Sequence, residues 1–142
     1  YIGQEVSEVS AIVDSYYHDI AIDDAGLLTL EFANGVIASH DPSWSRFAQY
    51  PTWGDATIEV IGTKQIVKVD AFKEHFRMFV SGEKSLEHVF YGNDMDFGLV
   101  QDFVQCVKEG SEPSVTGYDG LKSLEVALAA YESSKLKKPI KL

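Results

Sequence analysis

The feature that most constrains this chain is the dipeptide Asn34-Gly35, which lies between two apolar segments within residues 27–62. A two-residue type I′ hairpin turn needs a positive φ at both central residues, and Asn-Gly tolerates this at least cost. Such a turn predicts that Phe32 pairs with Ile37 and that Thr29 pairs with His40, although a β-bulge after Ser39 would redirect His40. One face then carries Leu28, Leu30, Phe32 and Ile37, as a core face, and the other carries Thr29, Glu31, Ala38 and His40.

The rest of the chain divides into a run of strands followed by two helices. Alternating or β-branched segments predict strands at 5–13, 15–22, 27–34, 36–44, 56–61, 66–70, 76–80, 86–91 and 139–142. Helical spacing predicts helices over 94–109 and from 116 to about 134, the second opened by a capping box of Thr116 and Asp119. This order predicts an α+β fold: an open, mostly antiparallel sheet of six to eight strands, with two C-terminal helices covering one face.

Two details of this prediction concern what is buried. Asp23-Asp24 is expected to be a solvated turn. The second helix is expected to bury an apolar stripe formed by Leu121, Leu124, Leu128 and Tyr131 and widened by Ala127 and Ala130. Helices on one face leave the other sheet face open, and an open face of mixed polarity is expected to be an interface.

Charge and composition exclude several classes of partner. The 142 residues carry a net charge of −10, which disfavours nucleic acid and anionic membranes as partners. The single cysteine, Cys106, excludes an internal disulfide and is expected to be a small, at least half-buried residue in a cytoplasmic protein. His18, His40, His75 and His88 lack metal-ligand spacing, so no metal site is predicted. Because the chain begins at Tyr1, it is expected to be a piece of a longer protein or a processed chain.

The loop over residues 41–54 is the best candidate for a binding site. Aromatic rings stack on the C–H faces of sugars and polyols, and an arginine holds oxygens through two parallel hydrogen bonds. Alternatively, the aromatic residues pack the loop onto the sheet edge or onto a partner chain. The predicted substrate-binding residues are His40, Trp44, Arg46, Tyr50 and Trp53.

Several motifs together resemble the C-terminal domain of the glucose-fructose oxidoreductase/inositol dehydrogenase/rhizopine-catabolism (Gfo/Idh/MocA) family. They are LLTLEFANGVIASHDPSWS after Asp23-Asp24, TIEVIGTKQIVKVD from Thr57, PSVTGYDG from Pro113, LEVALAAYES from Leu124, and the ending PIKL. In order and spacing they cover nearly the whole chain.

The resemblance implies a single C-terminal substrate-binding and oligomerisation domain over residues 1–142, with a Rossmann domain and the catalytic residues placed before Tyr1. It implies a dehydrogenase that uses NAD or NADP and transfers a hydride to or from a sugar, a cyclitol or a related polyol. No catalytic, cofactor-binding or metal-binding residue is assigned here, and the chain alone is expected to be inactive. The resemblance also implies self-association, as a dimer or tetramer, through the open sheet face.

Two other classes remain open from the residues themselves. The domain is alternatively a non-catalytic dimerisation or interaction module. A less favoured alternative is a metal-dependent hydrolase that uses scattered His and Asp side chains.

Overall fold

Eight strands and two helices make up the chain in a computed structural model that describes residues 2–50, 54–72, 75–79, 86–90 and 94–142. The elements are β1 Val6–Asp14, β2 Ala25–Phe32, β3 Ile37–His40, β4 Thr57–Ile61, β5 Ile66–Asp70, β6 His75–Phe79, β7 Leu86–Phe90, α1 Met95–Glu109, α2 Gly117–Leu136 and β8 Ile140–Lys141. The predicted α+β class, antiparallel pairing and two C-terminal helices are confirmed. Within the described ranges, neither helix is long and apolar enough to cross a membrane.

The chain divides into two compact units. The first unit comprises Tyr1–Ser45 and Cys106–Leu142, and the second comprises Arg46–Gln105. The first unit holds a four-stranded sheet in the order β3-β2-β1-β8. The second unit holds two antiparallel ladders, β4 with β5 and β6 with β7.

The hairpin between β2 and β3 forms as predicted, but its register differs by one residue. Asn34 lacks a positive φ, whereas Gly35 has a φ of +82°. The amide of Phe32 donates to the carbonyl of Val36 (2.9 Å), which leaves a three-residue loop over 33–35. Such a loop is a type I turn closed by one left-handed glycine, and Asn-Gly suits it as well as it suits a type I′ turn. The predicted two-residue turn was therefore wrong.

The change of register moves β3 side chains to the opposite face of the sheet. Leu28 lies opposite His40, and Leu30 lies opposite Ala38, so His40 and Ala38 share the core face with these leucines. Ile37, predicted on the core face, instead lies opposite Glu31 and is 68% exposed. The prediction that placed His40 on the open face was thus wrong.

One predicted strand segment is not a strand, and another is shorter than predicted. Residues 15–22 contain bends, since the amides of Tyr16, Tyr17 and His18 donate to the carboxylate of Asp24 rather than to a neighbouring strand. β3 ends at His40 rather than at Trp44. Pro42 has no amide hydrogen to continue a ladder there.

Helix α2 covers the core face of the sheet by contact with β1 and β8. Among the residues that the structure describes, the core next to α2 consists of Val9, Leu28, Ala129 and Ala130. Of the stripe predicted to be buried, Ala130 is buried, and Ala127 is exposed. The prediction was wrong for the large side chains, because Leu121, Leu124, Leu128 and Tyr131 are all about half exposed. The face that meets the sheet instead carries small side chains, which allow the helix to approach the strands closely. In α1, Cys106 is buried, as predicted.

Two serines of α2 complete the hydrogen bonding of β1. Strand β8 pairs with β1 only at Glu8 and Val9, so the amides further along that edge need other partners. The amide of Ala11 donates to Ser133 Oγ (3.0 Å), and Ser133 Oγ donates to the carbonyl of Lys138 (2.8 Å). Ser134 Oγ bonds both the amide and the carbonyl of Val13 (3.1 Å each). The helix therefore takes the place of a neighbouring strand.

Both ends of α2 have defined caps. The side chain of Thr116 accepts from the amide of Asp119, and the Asp119 carboxylate accepts from the amide of Thr116, which is the predicted capping box. Hydrogen bonds from Thr116 lower the pKa of Asp119, so this carboxylate stays ionised. Lys137 ends the helix in a left-handed conformation (φ 54°). These caps fix where Ser133 and Ser134 meet β1.

We expect Ser133→Ala to lower the free energy of unfolding by about 1–2 kcal/mol, because it leaves the part-buried amide of Ala11 without a partner. Urea denaturation measures this change. Ser123→Ala is the matched control, since Ser123 is exposed and bonds only within its own helix, to the carbonyl of Asp119. Equal effects of the two substitutions would contradict this role of Ser133.

Candidate functional site

The predicted substrate-binding residues are divided between the two units. His40 and Trp44 belong to the first unit, and Arg46 and Tyr50 belong to the second. Trp53 lies outside the described residues. Each unit therefore has its own arrangement of candidate groups.

In the first unit, His40 borders a half-open pocket of about 190 Å³ between the sheet and α2. The floor is apolar, and polar groups come from His40, Asp23, Tyr131 and Ser123. The remaining lining residues are Val13, Leu28, Pro42, Val126, Ala127 and Ala130. A mostly apolar pocket with a few converging polar groups is typical of a small-molecule site. The corrected register explains why His40 is here, since it shares the face of Leu28.

Asp23 and Tyr131 are pocket residues that the sequence analysis assigned to other roles. The Tyr131 hydroxyl donates a hydrogen bond to the Asp23 carboxylate. This bond, together with partial burial, raises the pKa of Tyr131, so its hydroxyl stays protonated and serves as a donor. The two residues are 108 positions apart, and the sequence carries no local signal that they meet.

Trp44 lies beside this pocket and is held by its ring nitrogen. Its Nε1 donates to the backbone carbonyl of Asp23 (2.9 Å), and its ring stacks on His18 with centroids 5.3 Å apart and planes 9° apart. Trp44 is nevertheless 50% exposed. The indole is thus fixed in orientation while half of its surface faces solvent. No binding role was predicted for His18 from the sequence.

The two loops that carry His18 and Trp44 converge on Asp24. One carboxylate oxygen of Asp24 accepts from the amide of Tyr16 (2.8 Å), and the other accepts from those of Tyr17 (2.8 Å) and His18 (2.7 Å). The backbone carbonyl of Asp24 accepts from the amide of Trp44 (3.1 Å). The prediction of a solvated turn was wrong for Asp24, which has no exposed surface.

Burial and hydrogen bonding act in opposite directions on the acidity of Asp24. Burial raises its pKa, while the three amide hydrogen bonds and the charge of His18 lower it, and the net effect is a lowered pKa. Asp24 is therefore an ionised carboxylate inside the protein, neutralised by backbone dipoles. A buried charge is tolerated only when it is paired or hydrogen-bonded in this way.

Gly26 lies where β1, β2 and the loop after β3 meet, and its closest contact is with β1. A Cβ at this position would lie 2.8 Å from Val13 Cγ1 and 3.4 Å from Pro42 Cγ. The amide of Gly26 donates to Ser43 Oγ (3.1 Å). The segment that leads from His40 to Trp44 is thereby held against the start of β2.

In the second unit, Arg46 and Tyr50 converge on Asp55. Arg46 Nη2 lies 2.7 Å from Asp55 Oδ1, and the Tyr50 hydroxyl donates to Asp55 Oδ2 (3.1 Å). The guanidinium carbon lies 5.3 Å from the centroid of the Tyr50 ring. The hydrogen bond from Arg46 lowers the pKa of Asp55, with burial acting against it. A ligand oxygen would have to share Arg46 with Asp55.

The described residues do not fit a nicotinamide cofactor or a metal ion. Every strand pair among them is antiparallel, whereas dinucleotide sites are built on parallel strands with a glycine-rich turn. In the same residues, no group of three or more His, Cys, Asp or Glu side chains is placed to hold a metal ion. We therefore derive no chemical step through either group on this chain.

Curated proteins of similar sequence are oxidoreductases. Myo-inositol 2-dehydrogenase of Thermotoga maritima is 27% identical over 151 residues, covering 99% of this chain and 44% of that protein. The scyllo-inositol 2-dehydrogenase (NAD(+)) of Bacillus subtilis is 27% identical over 150 residues, covering 99% and 43%. The chain thus spans less than half the length of these relatives.

One solved structure supports the fold of the chain, and a family model identifies its family. The crystal structure of GenD2 from gentamicin A biosynthesis, in complex with NAD, superposes with a TM-score of 0.80 at 20% identity, over 98% of this chain and 42% of that one, and supports the fold alone. The family model described as "Oxidoreductase family, C-terminal alpha/beta domain" matches residues 2–142. The chain therefore belongs to the Gfo/Idh/MocA oxidoreductase family, as its C-terminal α/β domain.

Proposed function

We propose that this chain is the substrate-binding and oligomerisation domain of a cytoplasmic NAD(P)-dependent dehydrogenase that acts on a sugar, a cyclitol or a related polyol. The observation that carries the proposal is the pocket in which His40, Asp23 and Tyr131 surround an apolar floor. Hydride transfer itself belongs to parts of the longer protein beyond this chain, so the chain alone is inactive.

The chemistry of the first unit suits a polyol. Each polyol ring carries hydroxyl groups around a carbon skeleton, so it needs both hydrogen-bonding partners and an apolar surface. Asp23 accepts hydrogen bonds from hydroxyl groups, and the Tyr131 oxygen, whose one proton is donated to Asp23, has lone pairs that accept them as well. Trp44 adds a flat, half-exposed ring next to Asp23. The names of the inositol dehydrogenases among the relatives favour a cyclitol.

The uncovered face of the four-stranded sheet supports self-association. Ile12 and Leu27 are paired across β1 and β2, and both are exposed; Ile37 on β3 is exposed as well. All three lie on the face opposite to α2. Exposed apolar side chains collected on one sheet face are typical of an interaction surface.

This face also favours the second candidate, a non-catalytic interaction module. In that case the pocket residues would have no effect on catalysis in the longer protein, and only the exposed sheet face would matter. The third class, a metal-dependent hydrolase, gains no support from the described side chains.

In the longer dehydrogenase, we expect His40→Ala and Trp44→Ala each to raise the KM for myo-inositol about tenfold, because each removes one substrate contact worth about 1.4 kcal/mol. Initial rates of NAD(P)H formation measure KM, and light scattering measures the molar mass, which should not change.

Tyr118→Ala is the matched control for the kinetic experiment. Tyr118 is a half-exposed aromatic residue at the start of α2 that contacts Lys122 and Glu5 and does not line the pocket. The KM of the Tyr118→Ala enzyme for myo-inositol should equal that of the wild type. Unchanged KM values for His40→Ala and Trp44→Ala would favour the interaction module instead. NAD(P)H formation by the 142-residue chain alone would contradict its proposed inactivity.

We expect Ile37→Asp to dissociate the oligomer, since it places a charge within the proposed subunit contact. The molar mass from light scattering should fall to that of a single chain. Val115→Asp is the control, because Val115 is equally exposed but lies in the loop before α2. A wild-type protein that is already a monomer would refute self-association.

A further inference from the structure

Asp24 binds both loops of the candidate site, the loop over 15–22 and the loop after β3 that carries Trp44. Its carboxylate has no exposed surface and accepts hydrogen bonds from the loop over 15–22, at the amides of Tyr16, Tyr17 and His18. Removing a carboxylate from water is costly unless hydrogen bonds replace the lost hydration. The ionised carboxylate and the ordered loop therefore require each other.

The backbone of the same residue holds the second loop. The Asp24 carbonyl accepts from the amides of Trp44 (3.1 Å) and Ser45 (3.2 Å) and from Ser45 Oγ (2.9 Å). The Asp24 amide donates to the carbonyl of Asp14 at the end of β1 (3.2 Å). One buried residue thus fixes the main chain on both sides of the His18–Trp44 stack.

The fixed indole contributes little to the core. Trp44 is 50% exposed, and its ring contacts are the stack on His18 and the hydrogen bond to Asp23. A large aromatic side chain normally stabilises a fold by being buried. An indole that is oriented by two separate ring contacts and yet left half exposed is better suited to hold a ligand against its ring.

We propose that Asp24 is the positioning residue of the site: it holds Trp44 so that its open ring face lies against the C–H face of a bound polyol ring. This inference rests on the proposed function for the nature of the ligand. Asp24 itself touches no substrate, because it is buried. The positioning role depends only on the contacts of Asp24 and can be tested without a ligand.

The first test measures how accessible Trp44 is to acrylamide in the 142-residue chain, in a Trp53→Phe background so that one tryptophan remains. In Asp24→Asn, the loop over 15–22 loses its carboxylate partner, so His18 leaves the face of the Trp44 ring. We expect the quenching constant to rise by up to about twofold, since the ring then passes from 50% exposure towards full exposure. Ser133→Ala is the control, because it destabilises the same sheet without a contact to either loop.

A milder variant keeps this test decisive if Asp24→Asn does not fold. Ser45→Ala removes the hydroxyl that donates to the Asp24 carbonyl, and it should raise quenching in the same direction by a smaller amount. The proposal would be overturned if folded Asp24→Asn were quenched no more than the parent chain. If Asp24→Asn does not fold, the same result in Ser45→Ala would overturn it. An equal rise in Ser133→Ala would also overturn it, because the effect would then reflect general loss of stability.

The second test uses kinetics in the longer dehydrogenase, with myo-inositol as the probe. We expect Asp24→Asn to raise KM about tenfold, and Ser133→Ala to leave KM unchanged at temperatures where both are folded. Exposure of Trp44 in the first test without a change of KM would overturn the positioning role in substrate binding. If in addition Trp44→Ala leaves KM unchanged, the proposed function itself fails at this residue.

Discussion

The structure of the first unit depends on one buried carboxylate, that of Asp24, and the three backbone amides that surround it. The apolar core next to it is small: among the described residues it consists of two large aliphatic side chains, Val9 and Leu28, and two alanines of α2. Hydrogen bonds from buried polar side chains therefore contribute much of what holds the strands, loops and helix α2 together. Asp24 fixes the loops at one end of the sheet, while Ser133 and Ser134 fasten α2 to the edge of β1.

Local patterns in the sequence predicted most elements well. The capping box at Thr116, both helices and the hairpin of β4 and β5 arise from interactions within a few residues, and each was found where the pattern placed it. The segment over 15–22 has the composition of a strand, but its amides bind a carboxylate six to eight positions away. The composition of the segment does not show that the Asp24 carboxylate competes with a neighbouring strand for these amides.

The register of the first hairpin shows why the candidate site was predicted only in part. Asn34-Gly35 is compatible with both a two-residue and a three-residue loop, and a difference of one residue decides which face His40 occupies. The pairing of Asp23 with Tyr131 joins residues 108 positions apart, so no local pattern could have found it. By contrast, Trp44, Arg46 and Tyr50 drew attention by residue type alone, and each has defined partners in the structure.

The central claim is that ionised Asp24 holds the site loops, and a pH titration of the amide protons of Tyr16, Tyr17 and His18 by NMR tests it most directly. Because the native pKa of Asp24 lies below its ordinary value of 3.8, its stabilising effect is complete above that pH and is lost as the pH falls through the native pKa. We predict that the three amide signals shift together with one midpoint below pH 3.8, and that the indole signal of Trp44 changes at the same midpoint. Separate midpoints for the three amides, or a common midpoint at or above 3.8, would contradict this account.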